Sequence, residues 1–540
     1  MKNQITKYIF FTGGVISSVG KGLTAASIGR LLKERGFSVV IQKLDPYLNV
    51  DPGTVSPYQH GEVFVLDDGA ETDLDLGHYE RFIDIRLTRE SNLTSGQVYA
   101  EVISRERKGD YLGGTIQVIP HITDEIKRRI KCIAEKSKAE FVLVEVGGTV
   151  GDIESQPFLE ALRQLRQEVG REHTFFVHTT WLPFIGATGE LKSKPTQHSV
   201  RELRSIGISP NMIVARADQS IPKPILEKIS LFCDVDLQAV IPLITVPVLY
   251  SVPLELENYK VAEYILNYFK LKQKQEPDFS TWKKITRAVE KPKHHVKIAL
   301  VGKYVELHDA YISVRESLKH ACLNNSAQLE IDWIHSSELE KASTQSMLSK
   351  ADGILVPGGF GVRGTEGKIT AAKYARENKI PYLGLCLGFQ IMVIEFARFL
   401  FKDVRANSTE FDEKSPYPVI DLLPGQKDIT EKGGTMRLGL YPCKISPKTI
   451  AHRAYQVDLI EERHRHRYEL NNQFREALEK GGMVFSGQSP DGYLVEIAEL
   501  KDHPFMLGSQ FHPEFLSRPN RPHPLFNEFI KAVIKRTESR

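Results

Sequence analysis

The strongest constraint on the fold is a repeated alternation of short apolar, β-rich runs with amphipathic stretches. In the first half the runs are Tyr8 to Phe11, Ser38 to Ile41, Phe141 to Val144, Thr174 to Val177 and Met212 to Val214. Runs of this length without polar alternation suit strands buried on both faces, and helices between them imply a parallel sheet. From Asn267 to His295 the chain becomes rich in Lys, Gln, Glu and Pro, with Pro277 and Pro292 inside it, and reads as a linker. The alternation restarts at Val296 to Gly302, Gly353 to Val356 and Pro381 to Leu385. The expected architecture is two doubly wound α/β domains, residues 1–270 and 296–540, joined by a linker over 271–295.

Composition narrows the function classes. The chain has 540 residues, 41% hydrophobic and 26% charged, ordinary for folded domains and against global disorder or a fibre. Lys and Arg number 71 against 68 Asp and Glu, a net +3, so there is no basic footprint for nucleic acid. The longest apolar stretch, Ile380 to Phe401, is interrupted by Gln390, Glu395 and Arg398 and does not suit a bilayer. The N-terminal apolar run is too short for a secretory signal, and the five scattered cysteines form no Cys-x-x-Cys pair. The expectation is a cytoplasmic protein with no membrane partner.

Two glycine-rich turns carry chemistry. The first, Gly13 to Gly22, lies between an apolar strand and a helical run from Leu23 to Arg35. Strand, glycine loop, lysine and helix together aim backbone N–H groups at a nucleotide phosphate. The match to the P-loop is imperfect: Val15 stands where the first Gly is expected, and Gly22 replaces the Ser or Thr that touches Mg²⁺. Lys43, the Glu71-Thr-Asp-Leu-Asp75 cluster and Glu145 sit at or near strand ends that converge in an open parallel sheet. Their carboxylates suit Mg²⁺ and could supply what Gly22 lacks.

In the second turn, Gly384 and Gly388 flank Cys386 before a helical pattern from Ile391 to Phe401. Small residues allow a tight strand-to-helix turn that exposes a nucleophile, and helix N-termini favour thiolates. Far downstream, His512 and Glu514 stand two apart; in an extended segment both face one side, so Glu514 can orient His512 while His512 takes the proton of Cys386. Val356 to Gly361 is a glycine loop after a strand, able to offer N–H donors to an oxyanion.

The segments Gly384 to Gly388 and His512 to Glu514 resemble the class I glutamine amidotransferase signature. Across nearly the whole chain, Gly13 to Gly22, Lys43 to Gly53, Gln59 to Val65, Gly69 to Glu80, Glu145 to Glu154 and Lys192 to His198 resemble the CTP synthase family. The resemblance implies a carbon–nitrogen ligase with glutamine as amido donor. ATP phosphorylates the 4-oxygen of UTP, ammonia from glutamine displaces phosphate, and CTP forms. It further implies the following site residues. Ser17, Ser18, Val19, Gly20, Lys21, Gly22, Lys43 and Asp75 would bind ATP, and Asp75 with Glu145 would hold Mg²⁺. UTP or CTP would meet Ser17, Asp152, Ile153, Glu154, Lys192, Ser193, Lys194, Pro195, Thr196, Gln197 and Lys228. Glutamine would meet Gly359, Leu387, Gly388, Phe389, Gln390, Glu410 and Arg467, the last by a guanidinium fork on its carboxylate.

The resemblance also implies CTP as feedback inhibitor, GTP as activator acting through a lid near Gly433 to Gly439, and a homotetramer built through the N-terminal domains. Free ammonia would become ammonium in neutral water, so two separate sites imply a sheltered path; the readings for His60 are that it lines this path, that it belongs to the UTP site, or that it is structural. Two alternatives are a P-loop amidotransferase of the cobyric-acid-amidating kind, disfavoured by Gly151 to Gln156 and Lys192 to His198, and a scaffolding protein with vestigial sites.

Overall fold

The computed structural model describes residues 5–288, 292–423, 426 and 434–539. The chain forms two compact units: Met1–Asp51 with Asp75–Thr286, and Pro52–Leu74 with Arg287–Arg540. Residues 52–74, which come early in the sequence, thus pack with the C-terminal half.

In the first unit seven strands form one sheet: β1 (Lys7–Gly13), β2 (Val39–Asp45), β3 (Asn92–Thr94), β4 (Phe141–Val146), β5 (Thr174–Trp181), β6 (Met212–Ala217) and β7 (Val240–Ile244). Their spatial order is β7-β6-β5-β1-β4-β2-β3, parallel throughout. The expected apolar runs are its central strands, and β4 is buried at every position. Helix α1 (Lys21–Glu34) follows β1 and presses Ala25, Ala26, Ile28, Leu31 and Leu32, all fully buried, into the core. It lies close on α2 (Asp75–Ile83): a Cβ on Gly29 would come 2.8 Å from the Ile83 side chain. Register brings Lys43 of β2 and Phe11 of β1 level with Glu145 of β4, so charged side chains gather at the carboxyl ends of adjacent strands. Two later helices of this unit, α3 (Lys194–Ser205) and α4 (Lys223–Cys233), carry the basic candidates Lys194 and Lys228.

The second unit has a nine-stranded sheet. Its members are β8 (His294–Gly302), β9 (Ala327–His335), β10 (Gly353–Val356), β11 (Tyr382–Leu385), β12 (Arg437–Ile445), β13 (Leu459–His466), β14 (Met483–Gln488), β15 (Val495–Leu500) and β16 (Met506–Ser509), in the order β9-β8-β10-β11-β16-β15-β14-β12-β13. From β9 to β16 the pairing is parallel, and beyond β16 antiparallel. Strand β8 alternates between two hydrophobic clusters, Ala299 and Val301 in one and Ile298 and Leu300 in the other. Helices α5 (Thr365–Glu377) and α6 (Leu387–Phe401) supply the first cluster.

The segment read as a linker holds more structure than its composition suggests. Ser280–Ala288 is a helix whose Trp282 and Ile285, three residues apart, share one buried face. Trp282 packs its ring 5.6 Å from Phe82 and 5.9 Å from Tyr250, within the first unit. Two apolar residues among polar neighbours are too sparse a period to stand out by pattern alone. Among the described residues no helix is long and apolar enough to cross a membrane.

Candidate active sites

In the first unit the turn after β1 brings its lysines and carboxylates together. Lys21, the first residue of α1, folds back so that a Cβ on Gly13 would lie 2.5 Å from its Cδ, and its Nζ donates to the Gly148 carbonyl at 2.6 Å. Burial lowers the Lys21 ammonium, with Lys43 acting in the same direction and Glu145 opposing. Lys43 donates to Asp75 and, at 3.1 Å, to Glu145; Tyr79 donates to the other Glu145 oxygen. Burial alone would lower Lys43, but Asp75 and Glu145 outweigh it and hold it well above the ordinary lysine value.

Gly22 faces both carboxylates. A Cβ there would sit 3.0 Å from Asp75 Oδ1 and 3.1 Å from Glu145 Oε2. The space a Ser or Thr side chain would take in an ordinary P-loop is bordered by acid oxygens, which fit a hard divalent ion beside phosphate. Among the described residues no group of three His, Cys, Asp or Glu is gathered for a metal, so an ion here would complete its shell with phosphate and water oxygens.

The other nucleotide candidates lie on loops and helix starts around the same sheet. Ser17, Ser18, Asp152, Ile153, Glu154, Lys194 and Lys228 are exposed, whereas Val19, Ser193 and Thr196 are buried. Asp152 accepts from the Thr149 N–H at 2.6 Å, capping the turn after β4. Lys192 pairs with Glu190, Gln197 donates to Ser193 Oγ at 3.1 Å, and Lys194 with Pro195 opens α3. Lys228 lies on α4. Sequence reasoning missed His178, fully buried on β5, whose Nδ1 meets Thr12 Oγ1 at 2.8 Å and Nε2 meets Ser199 Oγ at 2.9 Å. Burial and the nearby Lys21 charge push it down to about 3, so it stays neutral under the glycine turn. A lone histidine in an apolar strand gives no sequence signal for that role.

In the second unit Cys386 sits between β11 and α6 at φ 51°, ψ −100°, a strained conformation for a side chain bearing Cβ. The flanking glycines explain how the chain tolerates it. A Cβ on Gly388 would lie 2.0 Å from the Val356 carbonyl oxygen, and one on Gly384 2.4 Å from the Gly388 oxygen. The Cys386 N–H is held by the Ser509 carbonyl at 2.7 Å, and its Sγ lies 3.7 Å from the Arg465 carbonyl and 3.8 Å from Gln510 Nε2.

His512 Nδ1 meets Glu514 Oε1 at 2.7 Å, and the His512 ring stacks on Phe515 at 5.1 Å. Among the described residues its Nε2 has no hydrogen-bond partner. Burial alone would lower His512; the charges of Glu514 and Cys386 overcome it and raise it to about 10. Gly358 closes the arrangement, since a Cβ there would come 3.0 Å from His512 Cε1 and 3.7 Å from Cys386 Cβ.

These residues line a cavity of about 400 Å³. Its lining includes Gly358 to Phe360, Cys386, His512 and Glu514 together with Gly53 to Pro57 and Gly61 to Val63. Arg465, also on the wall, donates to Glu71 at 2.8 Å and to the Gly53 carbonyl at 3.0 Å. Its strand β13 alternates: Arg463 and Arg465 reach Asp67 and Glu71, while His464 and His466 point inward and meet at 2.9 Å. Burial, then Arg437, keeps both histidines well below the ordinary imidazole value.

Of the residues expected to meet glutamine, Gly359 and its neighbours line the cavity, and Leu387 to Phe389 form the buried first turn of α6. Gln390 donates to the Tyr468 carbonyl at 3.0 Å and to Gln510 at 3.2 Å. Glu410 accepts from the Gly361 N–H at 2.7 Å. Arg467 is turned to Gln426 Oε1 at 2.7 Å and Thr435 Oγ1 at 2.8 Å and does not line the cavity. His60 lies 3.4 Å from Asp73 and is likewise not on the cavity wall. Gly433, at the start of the expected lid, falls outside the described residues.

Comparison with known proteins gives both halves a family. Residues 7–271 match the family described as CTP synthase N-terminus, and residues 306–532 the family described as glutamine amidotransferase class-I. The CTP synthase of Dehalococcoides mccartyi is 62% identical over 531 residues, 98% of this chain and 97% of the relative. That of Caldanaerobacter subterraneus subsp. tengcongensis is 61% identical over 530 residues, 98% of each chain. Among solved structures, the glutaminase domain of Trypanosoma brucei CTPS with bound acivicin is 37% identical, covers 44% of this chain and 94% of that one, and has a TM-score of 0.43.

Proposed function

The chain belongs to the CTP synthase family, and from that premise we propose how its residues divide the work of aminating UTP with ATP and glutamine. The observation that carries the reading is the buried His512–Glu514 pair, 2.7 Å apart, lining one cavity with the strained Cys386.

In the second unit Cys386 Sγ attacks the carboxamide carbon of glutamine. Backbone N–H groups of the loop at Gly358 and Gly359 receive the developing oxyanion. His512 takes the proton of the Cys386 thiol and passes it to the departing nitrogen, which leaves as ammonia, and Glu514 stabilises the imidazolium in between. Water then hydrolyses the thioester to glutamate. Gln390, Glu410 and Arg467 are the polar candidates for the amino-acid end, with Arg467 releasing Gln426 or Thr435 to do so.

In the first unit the 4-oxygen of UTP takes the γ-phosphoryl group of ATP, and ammonia replaces the phosphate at C4. Lys21 and Lys43 neutralise the charge that moves in the transfer. Asp75 and Glu145 would hold Mg²⁺, whose chemistry is to withdraw charge from phosphate oxygens. Asp152 to Glu154, Lys192 to Gln197 and Lys228 are assigned to the pyrimidine nucleotide, as UTP substrate or CTP inhibitor. GTP activation, a homotetramer and a cytoplasmic location complete the reading; the last is supported by five free cysteines.

The test is direct. Purified protein with UTP, ATP, Mg²⁺ and glutamine should yield CTP and glutamate by chromatography in equal amounts; no CTP would reject the proposal.

A further inference from the structure

Behind the cavity wall lies a cluster of buried charges that the reading above does not use fully. Lys303, one residue beyond β8, is 2% exposed, and its Nζ donates to the Phe360 carbonyl at 2.5 Å and to the Gly361 carbonyl. Its own N–H is held by the Tyr311 hydroxyl at 3.0 Å. Glu410 takes the Gly361 N–H, so Gly361 is gripped at both its carbonyl and its amide. Lys368 of α5 is fully buried, its Nζ has no hydrogen-bond partner among the described residues, and it lies 3.5 Å from where a Cβ on Gly359 would be.

Two ammonium groups beside one carboxylate are costly to bury for packing alone. Burial lowers Lys303 to about 8 against the pull of Glu410, and burial with the Lys303 charge lowers Lys368 to about 7. The loop they serve is glycine-rich, with Gly361 at φ 77°, and has little stiffness of its own. Strand β8 neighbours β10, so Lys303 reaches from a rigid strand end across to the loop that leaves the next strand.

We propose that Lys303 is a positioning residue for glutamine hydrolysis. It ties the Phe360 and Gly361 carbonyls to the end of β8 and thereby fixes the Gly358-Gly359 backbone against Cys386 and His512. The inference rests on Cys386 being the nucleophile. With the carbonyls of residues 360 and 361 turned onto Lys303, the preceding peptide N–H groups are held for the oxyanion. Removing the tie leaves the nucleophile and its base in place and lets the oxyanion donors wander.

Lys303→Met tests this, because it keeps the stem and removes the donors. Glutamine hydrolysis should lose roughly tenfold or more in kcat, with KM within about threefold, as expected when an oxyanion donor is misplaced. Alkylation of Cys386 by iodoacetamide, which forms no oxyanion, should stay within about twofold of wild type when followed by mass spectrometry of the Cys386 peptide. An unchanged kcat, a loss confined to KM, or alkylation falling in step with turnover would overturn the proposal. If Lys303→Met does not fold, Tyr311→Phe, which loosens the Lys303 backbone, should lower kcat roughly threefold with alkylation unchanged, and an unaltered kcat would overturn it. The underlying reading fails separately, if Cys386→Ala hydrolyses glutamine at the wild-type rate.

Discussion

The two glycine turns, Gly13 to Gly22 and Gly384 to Gly388, both join a parallel strand to a helix, yet they are glycine-rich for different reasons. At Gly384 and Gly388 an added Cβ would meet backbone oxygens at 2.4 and 2.0 Å, which cannot yield. At Gly13 and Gly22 it would meet the ends of Lys21, Asp75 and Glu145, which can. The second turn is therefore set by the packing of the chain on itself, with Cys386 in its strained conformation and His512 already oriented. The first is set by charged side chains that satisfy one another, Lys43 bridging Asp75 and Glu145. One turn is a finished piece of geometry; the other is a balance of side-chain charges.

This contrast can be broken from either side. The largest effect is expected for Lys21→Ala, which should lower CTP formation from both glutamine and added ammonia by on the order of 100-fold or more. Retained turnover from ammonia would remove Lys21 from the phosphate site. Gly388→Ala should destabilise the second unit by about 3 kcal/mol, read as a lowered midpoint in urea, because the Val356 carbonyl has nowhere to go. Gly22→Ala should fold as wild type and instead raise the Mg²⁺ needed for half-maximal rate, by roughly tenfold. Equal destabilisation by the two alanines would erase the distinction.

The smallest effect is a difference in pH response. His178 is held near 3, below its unfolded value, so the unfolded chain binds the extra proton and the stability it contributes is lost as pH falls from about 6.5 toward 3. His512 is raised to about 10, so its contribution is full below about 6.5 and is lost as pH rises toward 10. Melting followed across pH should show the acid-side slope flattened by His178→Gln and the alkaline-side slope flattened by His512→Gln. The opposite assignment would contradict the charge environments described.

Much of this was legible in the sequence. The apolar runs mark the central strands of both sheets, and Gly384, Cys386 and Gly388 with His512 and Glu514 are picked out by spacing as residues that the fold does bring to one cavity. What was not legible depends on long-range placement. Residues 52–74 read as part of the first half, but their partners Arg463 and Arg465 lie nearly four hundred positions away, a distance no local pattern spans. The same run of alternating Arg and His looks like an exposed charged loop, whereas it is a strand with arginines on one face and buried neutral histidines on the other. Lys303 ends an apolar strand as many solvated lysines do, and only the fold shows two carbonyls waiting for it. Arg467 was expected at the glutamine carboxylate, and here its guanidinium is engaged by Gln426 and Thr435.

The central claim is that nitrogen release and nitrogen use belong to different residues on different units. CTP formation by Cys386→Ala, measured with glutamine and with ammonium chloride side by side, tests it most directly. The expected result is no detectable CTP from glutamine and wild-type CTP from ammonia. A folded variant that loses both activities, or keeps the glutamine-dependent one, would contradict it.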